Sequence, residues 1–189
     1  EENGVTVAMT RSTDVFIELD DRVSAANRRN ADLYVSIHAD AESNGSARGS
    51  TVYFADDEIG RDKADITYRA ILAGRQSDVA PQAVGAPGGL SEPVEAVAYG
   101  IMLQEYRSRS WQAAQRILEG LGDLAGTASR GARPANFRVV RYPRCPSVLV
   151  ELEYLSTPDV EQRLGSPSYR ERLASGVAKG ILAYLKAAK

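Results

Sequence analysis

These 189 residues contain one histidine, His38, and one cysteine, Cys145. A single cysteine excludes an intrachain disulfide and any zinc site built on several thiolates. A single histidine excludes a site that takes two or three imidazoles from these residues alone. Neither sign of charge prevails: 23 basic and 25 acidic side chains leave a net charge of −2, so nothing points to nucleic acid or to a polybasic membrane anchor. Long apolar runs are missing too, none approaching the roughly 18 residues that cross a bilayer, and no charged-then-apolar leader opens the sequence. Residue 1 is glutamate rather than methionine, so the expected gene product is longer, with room for an export signal already removed. Internal repeats and low-complexity segments are absent. What is present is 43% hydrophobic and 25% charged, enough for one domain of ordinary size with a real core.

Periodicity and turn chemistry order that domain. Glu1-Glu2-Asn3-Gly4 reads as the last turn of a helix with its closing glycine, and residues 5–10 as a β-rich strand after it. Across residues 16–30, Phe16, Leu19, Val23 and Ala26 recur at helical spacing, with Asp20, Asp21, Arg28 and Arg29 left to face water. Residues 33–37 form a short β-run ending at His38, and a Gly/Ser/Asn-rich turn over 43–49 leads into a strand at 50–54. Residues 56–99 change character, a charged stretch giving way to a proline- and glycine-rich loop, and read as an insertion packed on the domain. Helical spacing resumes over 101–124. A basic loop, Arg130-Gly131-Ala132-Arg133-Pro134, comes next, and then strands at 137–141 and 147–151. Thr157-Pro158 caps a short helix over 159–164, and after Ser166-Pro167 the stripe Tyr169, Leu173, Val177, Ile181 and Tyr184 or Leu185 predicts a final helix. Strands alternating with helices give an α/β sandwich around a mostly parallel sheet.

In open α/β sheets the chemistry gathers beyond the carboxyl ends of strands. His38 and Glu151 both stand at such ends, Glu151 after the nearly all-apolar run Ser147-Val148-Leu149-Val150. Bland alternatives sit beside both. His38 suits a hydrogen-bonded core or rim histidine, and Glu151 suits a structural ion pair with Arg138 or Arg141.

Four ordered segments weigh against the bland alternatives. They are Met9-Thr10-Arg11-Ser12-Thr13-Asp14, then Leu19-Asp20-Asp21-Arg22 through Ala26-Asn27, then Ala31-Asp32-Leu33-Tyr34-Val35-Ser36-Ile37-His38-Ala39-Asp40. The last joins residues 137–141 to Pro146-Ser147-Val148-Leu149-Val150-Glu151-Leu152-Glu153-Tyr154-Leu155-Ser156. Together they cover about two thirds of the chain and resemble the catalytic domain of zinc-dependent N-acetylmuramoyl-L-alanine amidases, peptidoglycan hydrolases that cut between the muramic acid lactyl group and the L-alanine of the stem peptide. The resemblance implies a Rossmann-like three-layer sandwich, Zn2+ as cofactor with His38 as a metal ligand, Glu151 as the catalytic carboxylate, and a place in the periplasm or extracellular cell wall. It also implies that the family's Asp-x-Gly-His-Gly strand and the helix after it, with an acidic zinc ligand, are missing from this chain and belong to the longer gene product.

Glu153 stands where the family usually has a small residue, and Thr157 replaces an asparagine, although threonine also caps helices. In some relatives an inserted helix covers the zinc until an activator protein displaces it. By the same logic residues 56–99 are regulatory, with Glu92 or Glu95 reaching the metal, or else a solvated surface extension. Arg130, Arg133, Arg138, Arg141 and Arg144 either meet stem-peptide carboxylates or pair with nearby acids. The alternative function is a metal-free, non-catalytic relative that binds peptidoglycan or regulates.

Overall fold

Residues Ser147–Tyr154 are buried almost throughout, which demands cover on both faces of a sheet. The computed structural model, which describes residues 3–43, 45–56 and 92–188 with the side chains of 92–100 left aside, shows that cover. In chain order its elements are α1 (Leu19–Arg28), β1 (Tyr34–Asp40), β2 (Ser50–Ala55), α2 (Glu92–Ala125), β3 (Ser129–Ala135), α3 (Arg138–Arg141), β4 (Ser147–Tyr154), α4 (Pro158–Gly165) and α5 (Pro167–Ala187). Among the described residues the sheet has four strands in the order β1-β4-β2-β3. β1 runs parallel to β4 and β3 parallel to β2, as expected, while β2 and β4 are antiparallel, so the sheet is mixed with two of its three pairings parallel.

Alternation along β4 divides the core. Val148 and Val150 point to the side covered by α2 and α5, where Ile117, Leu121, Leu173 and Val177 are buried with them. Leu149 points the other way, to Ala26 of α1, Val139 and Val140 of α3, Tyr34 and Cys145. Helices on both faces of one sheet give the expected three layers. α2 and α5 meet at backbone distance: a Cβ on Gly180 would lie 2.4 Å from the Arg116 carbonyl oxygen and from the Ile117 Cα.

Four local expectations change. Residues 5–10 form no strand, and Val7 and Met9 are 71% and 72% exposed, because β-propensity becomes a strand only when another strand pairs with it. The first helix starts at Leu19, leaving Phe16 outside its apolar stripe and 77% exposed. The expected basic loop is the edge strand β3. Its Pro134 needs no inward N–H there, and Gly131 at φ +92° takes up a register shift between Ser50 and Val52 of β2. The expected strand at 137–141 is the single helical turn α3. Val139 and Val140 are both buried, which two consecutive residues of a half-covered strand, pointing to opposite faces, would not be.

The other boundaries differ by small amounts, except that α2 begins at Glu92 and so takes in the end of the expected 56–99 insertion. Residues 57–91, and with them the expected regulatory segment, lie outside the described residues, as do Glu1, Glu2 and the side chains of Glu92 and Glu95. Gly4 has φ +68°, the left-handed conformation of a helix-closing glycine.

Candidate active site

His38 and Glu151 come together across the sheet. In the β1–β4 register His38 pairs with Glu151, and in the β2–β4 register Glu151 pairs with Thr51, so the three residues form one row across three strands. Side chains two apart share a face, which adds Ser36 and Tyr53 on the next row and places the site on the side covered by α1 and α3. Phe137, at the start of α3, meets the Tyr53 ring edge-on with centroids 5.2 Å apart and closes that side.

Glu151 is a buried acid with an unsatisfied oxygen. It is 7% exposed, and among the described residues neither its Oε2 nor the Thr51 Oγ1 beside it has a hydrogen-bond partner. No ion pair reaches it among the described residues: Arg138 pairs instead with Asp20 at 2.8 Å, and Arg141 donates to Asn136 Oδ1 at 2.6 Å. Burial, helped by the negative charge of Asp40, pushes its carboxyl up to about 7. A carboxyl that gains and loses its proton near neutrality is suited to general acid–base work.

His38 has a different balance. The Ser36 hydroxyl lies 2.8 Å from its Nε2 and fixes the ring. Burial lowers its pKa, the Arg22 guanidinium lowers it further, and Asp40 opposes both, so the imidazole is held towards its neutral, ligating form. Arg22 itself is tethered by its Nε to the Ile17 carbonyl at 2.9 Å.

The remaining candidates scatter. Arg130 stacks over Tyr154 with its guanidinium carbon 4.9 Å from the ring centre, and Arg133 acts electrostatically on Tyr53, so these two border the site. Arg138 joins α3 to α1 through Asp20, and the Arg144 amide donates to Asn27 Oδ1, so the expected basic cluster is divided between the site rim and structural ties. Cys145 is buried, and its thiol is pushed up to about 12, mainly by burial, which fits a packing residue.

A family model described as N-acetylmuramoyl-L-alanine amidase matches residues 1–183. The chain belongs to that family. It is 32% identical over 182 residues to N-acetylmuramoyl-L-alanine amidase AmiA of Escherichia coli strain K12, covering 96% of this chain and 62% of that protein. It is 35% identical over 182 residues to AmiC of Neisseria meningitidis serogroup B, covering 96% of this chain and 42% of that one. The chain thus spans less than two thirds of these curated relatives. Its fold matches the crystal structure of an N-acetylmuramoyl-L-alanine amidase from Clostridium difficile 630 with a TM-score of 0.65 at 26% identity, covering 95% of this chain and 71% of that one.

Amidases of this family are generally zinc-dependent. His38, neutral and on the same face as an unsatisfied carboxylate oxygen, fits as one ligand, but among the described residues no three His, Cys, Asp or Glu side chains converge on a metal position. Thr51 lies outside the motifs, and Ser36 lies within the third of them without having been given a role. Ser36 was legible as His38's neighbour two positions back on a strand, whereas Thr51 carries no local signal and is placed only by strand pairing.

Proposed function

We propose that this amidase-family chain acts as a peptidoglycan hydrolase, cleaving the amide between the N-acetylmuramic acid lactyl group and the L-alanine of the stem peptide, in the periplasm or cell wall. The proposal treats residues 1–189 as one catalytic domain. The observation that carries it is the pairing of His38 with a buried, unsatisfied Glu151 at the sheet positions where the family motif has its histidine and glutamate. In this reading His38 is a zinc ligand held by Ser36, and Glu151 accepts the proton of the attacking water and passes it to the departing alanine nitrogen. Zinc, when bound, supplies Lewis acidity and lowers the pKa of water to about 7. Thr51 Oγ1, beside Glu151, is placed to orient that carboxylate or the water it holds.

The test is stem-peptide release from purified peptidoglycan by the full-length protein, with zinc content measured in parallel. Parent protein should release peptides with an L-alanine amino terminus, Glu151→Gln should release none while keeping its zinc, and His38→Ala should lose both. Comparable hydrolysis by Glu151→Gln overturns the assignment, and a zinc-free parent that binds peptidoglycan without cutting it establishes the non-catalytic alternative. The same reading makes residues 56–99 a cover that an activator protein displaces. Deleting residues 57–91 should then raise basal activity, and unchanged activity removes the regulatory role.

A further inference from the structure

Glu153 is the second carboxylate of β4, and the structure gives it a different neighbourhood from Glu151. Between His38 and Asp40 the β1–β4 register advances by two residues on β1 but three on β4, from Glu151 to Tyr154, which is a β-bulge at Leu152-Glu153. The bulge turns Glu153 away from the His38 face and towards α5. There it is 1% exposed and accepts three hydrogen bonds: from the Gly49 amide at 3.0 Å on Oε2, and from the Tyr169 hydroxyl at 3.0 Å and Arg163 Nη2 at 3.3 Å on Oε1.

The bond to Gly49 matters because β2 begins at the next residue. Ser50 and Thr51 open that strand, and Thr51 is the residue paired with Glu151. Other bonds hold the loop before β2: Ser156 Oγ accepts from the Glu42 amide at 2.8 Å, Thr157 Oγ1 donates to the Ala47 carbonyl at 2.7 Å, and Arg48 pairs with Asp159, but none of them engages the Gly49 amide. Gly49 itself is confined, with φ +90° and no room for a Cβ, which would come within 2.3 Å of the Ala128 carbonyl oxygen. Ser50 is tied on both sides, its amide donating to the Ala128 carbonyl at 2.8 Å just before β3 and its hydroxyl to the Leu152 carbonyl of β4 at 2.8 Å. Glu153 adds a second tie to β4, one residue earlier, through the Gly49 amide. With the Arg163 side chain half exposed, the ion pair itself is weak evidence for stability. Its directed bonds instead fix the carboxylate against α4 and α5 and, through Gly49, tie the entry of β2 to β4.

We infer that Glu153 is a positioning residue for the reaction proposed above: by holding the Gly49 amide it sets Thr51 and the start of β2 in register with Glu151. This rests on the amidase reading for its catalytic consequence but not for its structural one.

The experiment compares Glu153→Met and Glu153→Gln in the full-length protein. Both keep the side-chain size, but only glutamine keeps an acceptor for the Gly49 N–H. Glu153→Met should lower kcat by roughly tenfold to a hundredfold, the range that a small misplacement of catalytic groups produces, with KM changed by less than about twofold. Glu153→Gln should stay within about threefold of the parent on both constants. Amide hydrogen exchange at Gly49 provides a readout independent of turnover: protection should persist in parent and Glu153→Gln and be lost in Glu153→Met.

Equal Gly49 protection in parent and Glu153→Met overturns the inference whatever the activity, as do equal kcat values or equal losses in both variants. If the parent cuts no peptidoglycan, the amidase reading fails and the exchange comparison still decides the role of Glu153. If Glu153→Met does not fold, Tyr169→Phe, which removes one of the three donors holding the carboxylate, should lower Gly49 protection and kcat together. Parent-level protection in that variant overturns the inference.

Discussion

Removing the charge of Glu151 should stabilise the metal-free protein, and the gain should depend on pH. The carboxyl ordinarily ionises at 4.5 but is pushed up to about 7 here, chiefly by burial and secondarily by Asp40. The folded state therefore holds a proton that the unfolded chain releases between those values. Below pH 4.5 both states carry the proton and the shift has no effect. As pH rises through that window the unfolded state gains, and above pH 7 the folded state has lost the full difference. A shift from 4.5 to about 7, at 1.36 kcal/mol for each pH unit, amounts to about 3 kcal/mol. Glutamine at position 151 has no charge to bury, so the difference in stability between Glu151→Gln and parent should widen by that amount between pH 4 and pH 8. In a chain of 189 residues this is a difference in Tm of about 6–12 °C. The assay is thermal unfolding of both proteins in a chelator across that pH range. Every other titrating group is common to both, so parallel curves refute the claim that Glu151 is an unpaired buried acid. A stabilised but inactive variant would show that the site keeps this carboxylate at a cost to the fold.

Three more perturbations have outcomes set by the geometry. Gly180→Ala places a methyl group against the backbone of α2, so α2 and α5 must separate, at a cost of about 1–3 kcal/mol; an unchanged Tm in calorimetry would show that the helices are not in backbone contact. Cys145, buried and with its thiol pushed up to about 12, should resist iodoacetamide at pH 8 in the folded protein and react fully once unfolded; stoichiometric labelling of the native state contradicts its placement. Ser36→Ala removes the hydroxyl that fixes the His38 ring, so zinc affinity should fall by roughly tenfold to a hundredfold with the fold intact, as competition with a chelator would show.

Strong periodicity made much of the fold legible. The helix at 167–187 declares itself through an apolar stripe at Tyr169, Leu173 and Val177, and β4 through an apolar run too dense for a half-exposed strand. The misreadings occur where tertiary context outweighs local preference. Arg130 to Pro134 look like a loop because of their proline, glycine and charge, yet an edge position tolerates all three. Val139 and Val140 favour a strand by propensity, and the need to bury both against α1 and Tyr34 winds them into a turn of helix instead. Residues 5–10 carry β-propensity with no strand beside them among the described residues.

For the site, the sequence showed which residues matter better than how they are arranged. His38 and Glu151 lie 113 positions apart and were placed at strand ends by pattern, but only the register shows that they are direct partners in adjacent strands. Glu151 and Glu153 pose the sharper problem. Two residues apart on a regular strand they would share a face, and two neighbouring buried carboxylates would raise each other's pKa and crowd one site. A single extra residue in β4 separates them, leaving Glu151 unsatisfied beside His38 and giving Glu153 an arginine, a tyrosine and a backbone amide. Nothing in Leu152-Glu153 announces a bulge, since neither is the glycine that often marks one. The separation therefore arises from pairing with β1, and a change that removed the bulge should harm both carboxylates at once: Glu153 would lose its three donors, and Glu151 would gain a like charge beside it.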